Sequence, residues 1–124
     1  MKDTCPCGRR AAVQACCARY IGTGVPAPDA ESLMRSRYTA FVRGDVAHLL
    51  ATWHASTRPA SIALDDGVKW LGLEVKRHTP IDEAHAQVEF VARSRLQGRG
   101  QRLHERSRFM REDGHWLYVD GDLL

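Results

Sequence analysis

Apolar residues recur at two different periods along this chain, and the period changes near its middle. After Asp29, the residues Leu33, Met34, Tyr38, Phe41 and Val42 return every three or four positions, which is the spacing of one face of a helix. Asp29 is placed to cap the free amides of that helix, Glu31 suits its first turn, and Gly44 stops it. Asp45 caps a second short helix, whose stripe is Val46, Leu49, Leu50 and Trp53 and which ends before Pro59. Further on the period falls to two. Residues 69–78 read as a strand with Leu71, Leu73 and Val75 on one face, ended by Pro80. Residues 84–96 form a longer strand with Ala86, Val88, Phe90 and Ala92 inward and Glu89, Arg93 and Arg95 outward, although Val91 breaks the alternation. Gly98 and Gly100 mark a hairpin into residues 101–111. That strand sets Leu103, Glu105, Ser107 and Phe109 on one face and His104, Arg106 and Arg108 on the other. Glu112-Asp113-Gly114 turns the chain into a last strand over residues 115–120.

Two helices followed by a run of antiparallel strands predict an α+β fold, with the helices packed on a curved sheet that buries their stripes. The stretch Gly22-Thr23-Gly24-Val25-Pro26-Ala27-Pro28 has no periodicity and separates two units, residues 1–22 and residues 23–124. At 124 residues and 44% hydrophobic composition the chain suffices for one core and a small appendage. No run approaches the roughly 18 apolar residues of a membrane span, and Met1-Lys2-Asp3-Thr4 leads straight into cysteines without an apolar leader. The expectation is therefore a cytoplasmic protein with no membrane partner.

All four cysteines fall in the first unit, as Cys5-Pro6-Cys7-Gly8 and then Cys16-Cys17. Such a cluster forms either a disulfide knot, a set of plain buried thiols, or a tetrahedral thiolate site for one metal ion. The metal reading is the stronger, because vicinal Cys16 and Cys17 could hardly bridge each other without strain and a reducing compartment keeps thiols free. Zinc suits four thiolates best, with iron as the runner-up. The spacing resembles the SEC-C knuckle known from the tails of SecA translocation ATPases, and that resemblance carries Cys5, Cys7, Cys16 and Cys17 over as ligands. The Ser-Gly that commonly follows in that motif is replaced here by Arg9-Arg10.

A formal charge of +3 changes little until its distribution is considered. Residues 93–111 hold seven arginines against the single acid Glu105. Arg93, Arg95, Arg102, Arg106 and Arg108 could form a patch for an anion or RNA, or simply the wet face of the strands. Aromatic residues for base stacking are scarce there, which makes RNA a weak partner.

On the inward face, Glu105 and Ser107 interrupt an apolar row, and Tyr38 and Trp53 from the helices complete the expected pocket. A carboxylate so placed could serve as a general acid or base, with His54, Tyr38 and Asp120 as candidate partners; this describes a small cofactor-free enzyme for proton transfer or hydrolysis. The structural alternative pairs Glu105 with an arginine such as Arg35 or Arg37 and leaves Tyr38 and Trp53 as core. His48, His78, His85, His104 and His115 share no ligand spacing and are expected at the surface.

The runs Leu33-Met34-Arg35-Ser36-Arg37-Tyr38, Thr52-Trp53-His54, Trp70-Leu71-Gly72-Leu73, Glu105-Arg106-Ser107-Arg108-Phe109 and Trp116-Leu117-Tyr118-Val119-Asp120-Gly121 resemble the YchJ family. That resemblance implies a SEC-C knuckle joined to a domain similar to nuclear transport factor 2, a curved sheet wrapped on helices into a cone. Longer members resemble a sandwich with a second knuckle after the sheet, for which no cysteines follow Cys17 here. The family brings no settled activity. The reading is a metal-binding interaction protein whose knuckle and cone cavity take a protein partner or small ligand, with a homodimer through the exposed sheet face as a further arrangement.

Overall fold

A computed structural model describes residues 4–124. The first three residues of the expected 1–22 unit lie outside the described residues. From Cys5 onward the chain makes a tight loop closed by Cys5 N–H donating to Ala11 O at 2.8 Å, then two single turns of 3-10 helix, Val13–Ala15 and Cys17–Arg19. Helices α1 (Ala30–Arg43) and α2 (Val46–Ala51) follow, then strands β1 (Val68–Pro80), β2 (His85–Leu96), β3 (Arg99–Glu112) and β4 (His115–Leu123). The strands form one antiparallel meander in the order β1-β2-β3-β4. The α+β architecture is as read from the two periods.

The helix ends follow from single residues. The Asp29 carboxylate accepts from Ser32 N–H at 2.7 Å, and Asp45 does the same for His48 N–H at 3.0 Å. Each such cap stabilises its helix by about 1 kcal/mol. Gly44 takes φ 72°, the left-handed conformation that ends α1. The β-turns use Gln97-Gly98 and Asp113-Gly114, all at positive φ, so the first hairpin pivots on Gly98 and not on Gly100.

The main core lies between α1 and the inner face of the sheet. Leu33, Met34 and Tyr38 meet Ala86, Val88, Phe90, Ala92 and Phe109, all of them buried. A large apolar side chain so buried contributes roughly 1.5–3 kcal/mol. Val91 points the other way and is still sealed, held between Glu74 and His104 on the neighbouring strands.

Three register shifts interrupt the pairing, at Trp70/Gly72, Val75/Arg77 and Arg108/Phe109, and two of them move residues off their expected faces. One between Trp70 and Gly72 turns Leu71 outward, where it is 49% exposed, and brings Trp70 against the core instead. The other lies opposite Arg108/Phe109, where Arg108 pairs with Asp120 but Phe109 with Tyr118, so Val119 is the extra residue. Helix α2 is also shorter than its stripe suggests. It stops at Ala51, and Trp53 lies beyond it in a parallel bridge with Tyr118.

Candidate metal centre and ligand cavity

The cysteine loop packs its own small core, formed by the four cysteines and Val13, with Leu73 of β1 against it. All four sulfurs are buried, unbridged and within 4.8 Å of one another. Four thiolates about 2.3 Å from one tetrahedral ion would stand about 3.8 Å apart, and Cys7 and Cys16 Sγ are 3.6 Å apart. The donor set therefore fits a closed structural site. Burial and the neighbouring sulfurs raise the Cys16 and Cys17 thiols, while hydrogen bonding from Cys17 holds Cys7 well below the ordinary thiol range against the cost of its burial.

The loop is fastened to α1 by polar contacts. Arg35 Nη1 donates to Cys7 O at 2.7 Å and its Nε to Glu31 at 2.9 Å, while Arg9 donates to Ser32 Oγ at 3.1 Å. Thr39 Oγ1 lies 3.7 Å from Cys5 Sγ. Gly8 makes the turn possible: its φ is 96°, and a Cβ there would sit 3.2 Å from Leu73 O.

The second site is a cavity of about 260 Å³ between α1, the segment after α2 and the concave sheet face. Tyr38, Trp53, Glu105 and Ser107 all line it. Tyr38 packs edge-on to Trp70 with ring centres 5.6 Å apart, and burial raises its hydroxyl's pKa. Glu105 Oε2 accepts from Ser107 Oγ at 2.5 Å and from Tyr118 OH at 3.4 Å. Burial, reinforced by the Glu105 charge, pushes the Tyr118 hydroxyl up to about 12, so it remains a donor. Gly121 clears the space over this carboxylate, since a Cβ there would run into Glu105.

The other proposed partners are elsewhere. In the extended bridge after α2, successive side chains diverge: Trp53 enters the cavity and His54 leaves it to bond Glu112 at 2.5 Å and Ser56 at 2.7 Å. Asp120 is carried to the outer face by the Val119 bulge, where it pairs with Arg108 at 2.5 Å. A Glu105–His54 or Glu105–Asp120 catalytic pair is therefore not formed. Nor is the expected ion pair: among the described residues no lysine or arginine nitrogen lies within 4.0 Å of Glu105, and Arg35 is taken by Glu31 and Cys7.

Arg37, named above as an ion-pair partner for Glu105, lines the cavity without making that pair. It is buried, donates from Nη1 to Leu49 O at 2.8 Å and Thr52 Oγ1 at 2.7 Å, and lies over the rings of Trp53 and Tyr118. Burial lowers its pKa to about 10, which still leaves it charged at neutral pH. The signal was present, because residue 37 lies four after Leu33 and four before Phe41 and so falls on the apolar stripe itself. His48, expected at the surface, is buried beneath α1 and within 3.0 Å of Ser36 Oγ.

On the outer face, Arg93, Arg95, Arg102, Arg106 and Arg108 do point away from the helices, but acids from both neighbouring strands answer several of them. Arg108 bonds Asp120 and Asp122, Arg106 approaches Asp122 at 3.8 Å and Arg93 approaches Glu74 at 3.6 Å. These exposed pairs contribute little stability but dilute the positive field.

Residues 29–121 match the family described as YchJ, middle NTF2-like domain. A UPF0225 protein of Methylibium petroleiphilum is 61% identical over 120 residues, covering 96% of this chain and 88% of the relative. Another from Polaromonas naphthalenivorans is 55% identical over 134 residues, covering 98% of each. Among solved structures, a SEC-C motif containing protein of Rhodopseudomonas palustris superimposes with a TM-score of 0.87 at 28% identity, over 98% of both chains. One from Psychrobacter arcticus gives 0.79 at 30% identity, over 94% of this chain and 80% of that one.

Proposed function

The chain belongs to the YchJ family, and on that premise we propose that it is a zinc-binding interaction protein whose cysteine knuckle is a structural metal centre and whose cone cavity receives a small ligand. The observation that carries this reading is the convergence of four buried, unbridged sulfurs within 4.8 Å. Zinc is preferred to iron because four thiolates suit its tetrahedral preference and would leave no ligand position open for chemistry. Cys5, Cys7, Cys16 and Cys17 hold the ion, which cross-links a loop whose own core is too small to keep it folded. Thiols kept in this reduced, metal-ready state suit the cytoplasm. The aromatic lining, with two charged groups, supports ligand capture rather than turnover, since neither His54 nor Asp120 reaches Glu105.

Metal analysis of protein purified under reducing conditions tests the first half directly. About one zinc per chain is expected, with release of ordered structure in the cysteine loop on chelation. Protein that is folded through the loop with no metal, or with its thiols oxidised in pairs, would remove this reading.

A further inference from the structure

The cavity holds two ionic groups whose hydrogen-bonding capacity is only partly used. Glu105 receives both of its donors on Oε2, and Oε1 has no donor among the described residues. Arg37 uses only Nη1, so its Nε and Nη2 have no acceptor among the described residues. Arg37 is only 6% exposed, yet no fully buried side-chain nitrogen or oxygen among the described residues lacks a partner. The free edges of both groups therefore reach open space, and both residues line the cavity.

Their positions are fixed. The guanidinium lies over Trp53 at 5.2 Å and Tyr118 at 4.7 Å, and the carboxylate is pinned by Ser107 and Tyr118 over the gap at Gly121. Opposite charges facing one space without closing on each other leave a donor edge and an acceptor edge presented to whatever enters. Around them stand the rings of Tyr38, Phe41, Trp53, Trp70, Phe109 and Tyr118. The two charges cancel, so a ligand of either net charge would leave one of them unbalanced in a poorly hydrated site.

We infer that the cavity binds a small, flat, neutral aromatic molecule carrying an amide edge, whose N–H donates to Glu105 Oε1 while its carbonyl oxygen accepts from Arg37. This deepens the ligand-binding half of the reading above and does not depend on which metal fills the knuckle. The aromatic body replaces water against the rings, and the amide satisfies the donor and the acceptor that the protein leaves open.

The test uses the full chain as purified and four probes of one size: benzamide, toluene, benzoate and benzylamine, titrated against the amide and indole resonances of the cavity. Benzamide is expected to bind about tenfold more tightly than toluene, the gain of a hydrogen bond to a charged group in a dry site, and more tightly than either charged probe. Glu105→Gln keeps an oxygen for Ser107 and Tyr118 and turns an N–H₂ group into the cavity, so benzamide should lose about tenfold and benzoate should gain. Toluene equalling benzamide, a charged probe leading, no probe moving the cavity resonances, or an unchanged ranking in a folded Glu105→Gln would each overturn the inference. The wild-type ranking stands by itself if that variant does not fold. Metal content is measured separately, so loss of the zinc reading and loss of this one are distinguishable.

Discussion

Helix α1 presents arginines to two sites, and it treats them differently. Towards the knuckle, Arg35 divides its nitrogens between Glu31 and Cys7 O, Arg9 reaches across to Ser32, and Thr39 sits beneath Cys5. Towards the cavity, two residues further on, Arg37 is anchored at one nitrogen only and faces a carboxylate that it does not touch. A set of polar groups that satisfy one another makes a joint. A set fixed in place but left incomplete makes a receptor, because a partner from outside can supply what is missing.

The strongest way to break the comparison is to open the joint. Cys17→Ser should abolish zinc binding, and because a structural zinc is worth on the order of 10 kcal/mol of apparent folding free energy, the loop should lose its order. Amide spectra should show the collapse confined to the residues before α1, with β2 and β3 retained; a variant that keeps both metal and loop would contradict the assignment.

Gly8→Ala attacks the same joint through the backbone. Its φ of 96° and its closeness to Leu73 O predict a cost of about 1–3 kcal/mol. Gly114→Ala, with φ 80° but open space around it, supplies the strain without the contact. Thermal melts that rank the two equally would show that the packing of Gly8 on β1 is unimportant.

A third test uses pH. Burial first, and Arg37 second, lower the pKa of His48 from 6.5 to about 4 despite Asp45 nearby. Ser36 Oγ donates to Leu33 O, so the His48 ring is the donor in its bond to Ser36, and its lowered pKa leaves that ring neutral at pH 7. The unfolded chain then binds a proton that the fold resists. Stability due to this group is complete above about pH 6.5 and is lost as pH falls towards 4. Denaturant titrations should show a shallower fall over that window in His48→Gln than in the wild type.

The smallest effect is expected where a buried ion pair had been anticipated. Breaking such a pair costs about 3–5 kcal/mol, but among the described residues Glu105 has no cationic partner within 4.0 Å, so Glu105→Gln should change stability by less than about 1 kcal/mol. A large loss in a chemical melt would mean that Arg37 and Glu105 close on each other in solution and that the cavity is a second joint.

What the sequence made legible was local chemistry. Asp29, Gly44 and Asp45 bound their helices where their side chains and backbone require, and the four inward residues of β2 are all buried. The cysteines declared themselves because nothing else in the chain could partner them. The misplacements, by contrast, came from single extra residues. Counting by twos carries Leu71 inward and Asp120 towards Glu105, but the bulge beside Gly72 and that at Val119 each reverse the faces beyond them. Helical spacing carries Trp53 onto the stripe of the second helix, whereas the chain is already extended there and sends Trp53 and His54 to opposite sides. His48 departs from expectation for a different reason. Residue type predicts exposure only on average, and His48 is buried because α1 has company on more than one side.

That last circumstance limits how the helix can be altered. Arg35 and Thr39 meet the cysteine loop, Ser36 meets α2 and Arg37 meets the cavity, all within about a turn and a half. Each added or deleted residue rotates everything after it by about 100°. An insertion at the middle of α1 would therefore swing the guanidinium out of the cavity and bring a neighbour meant for another surface into its place. The helix is keyed on three sides, like a shaft that fits its housing in one orientation only, and it is the part of this molecule least able to change length.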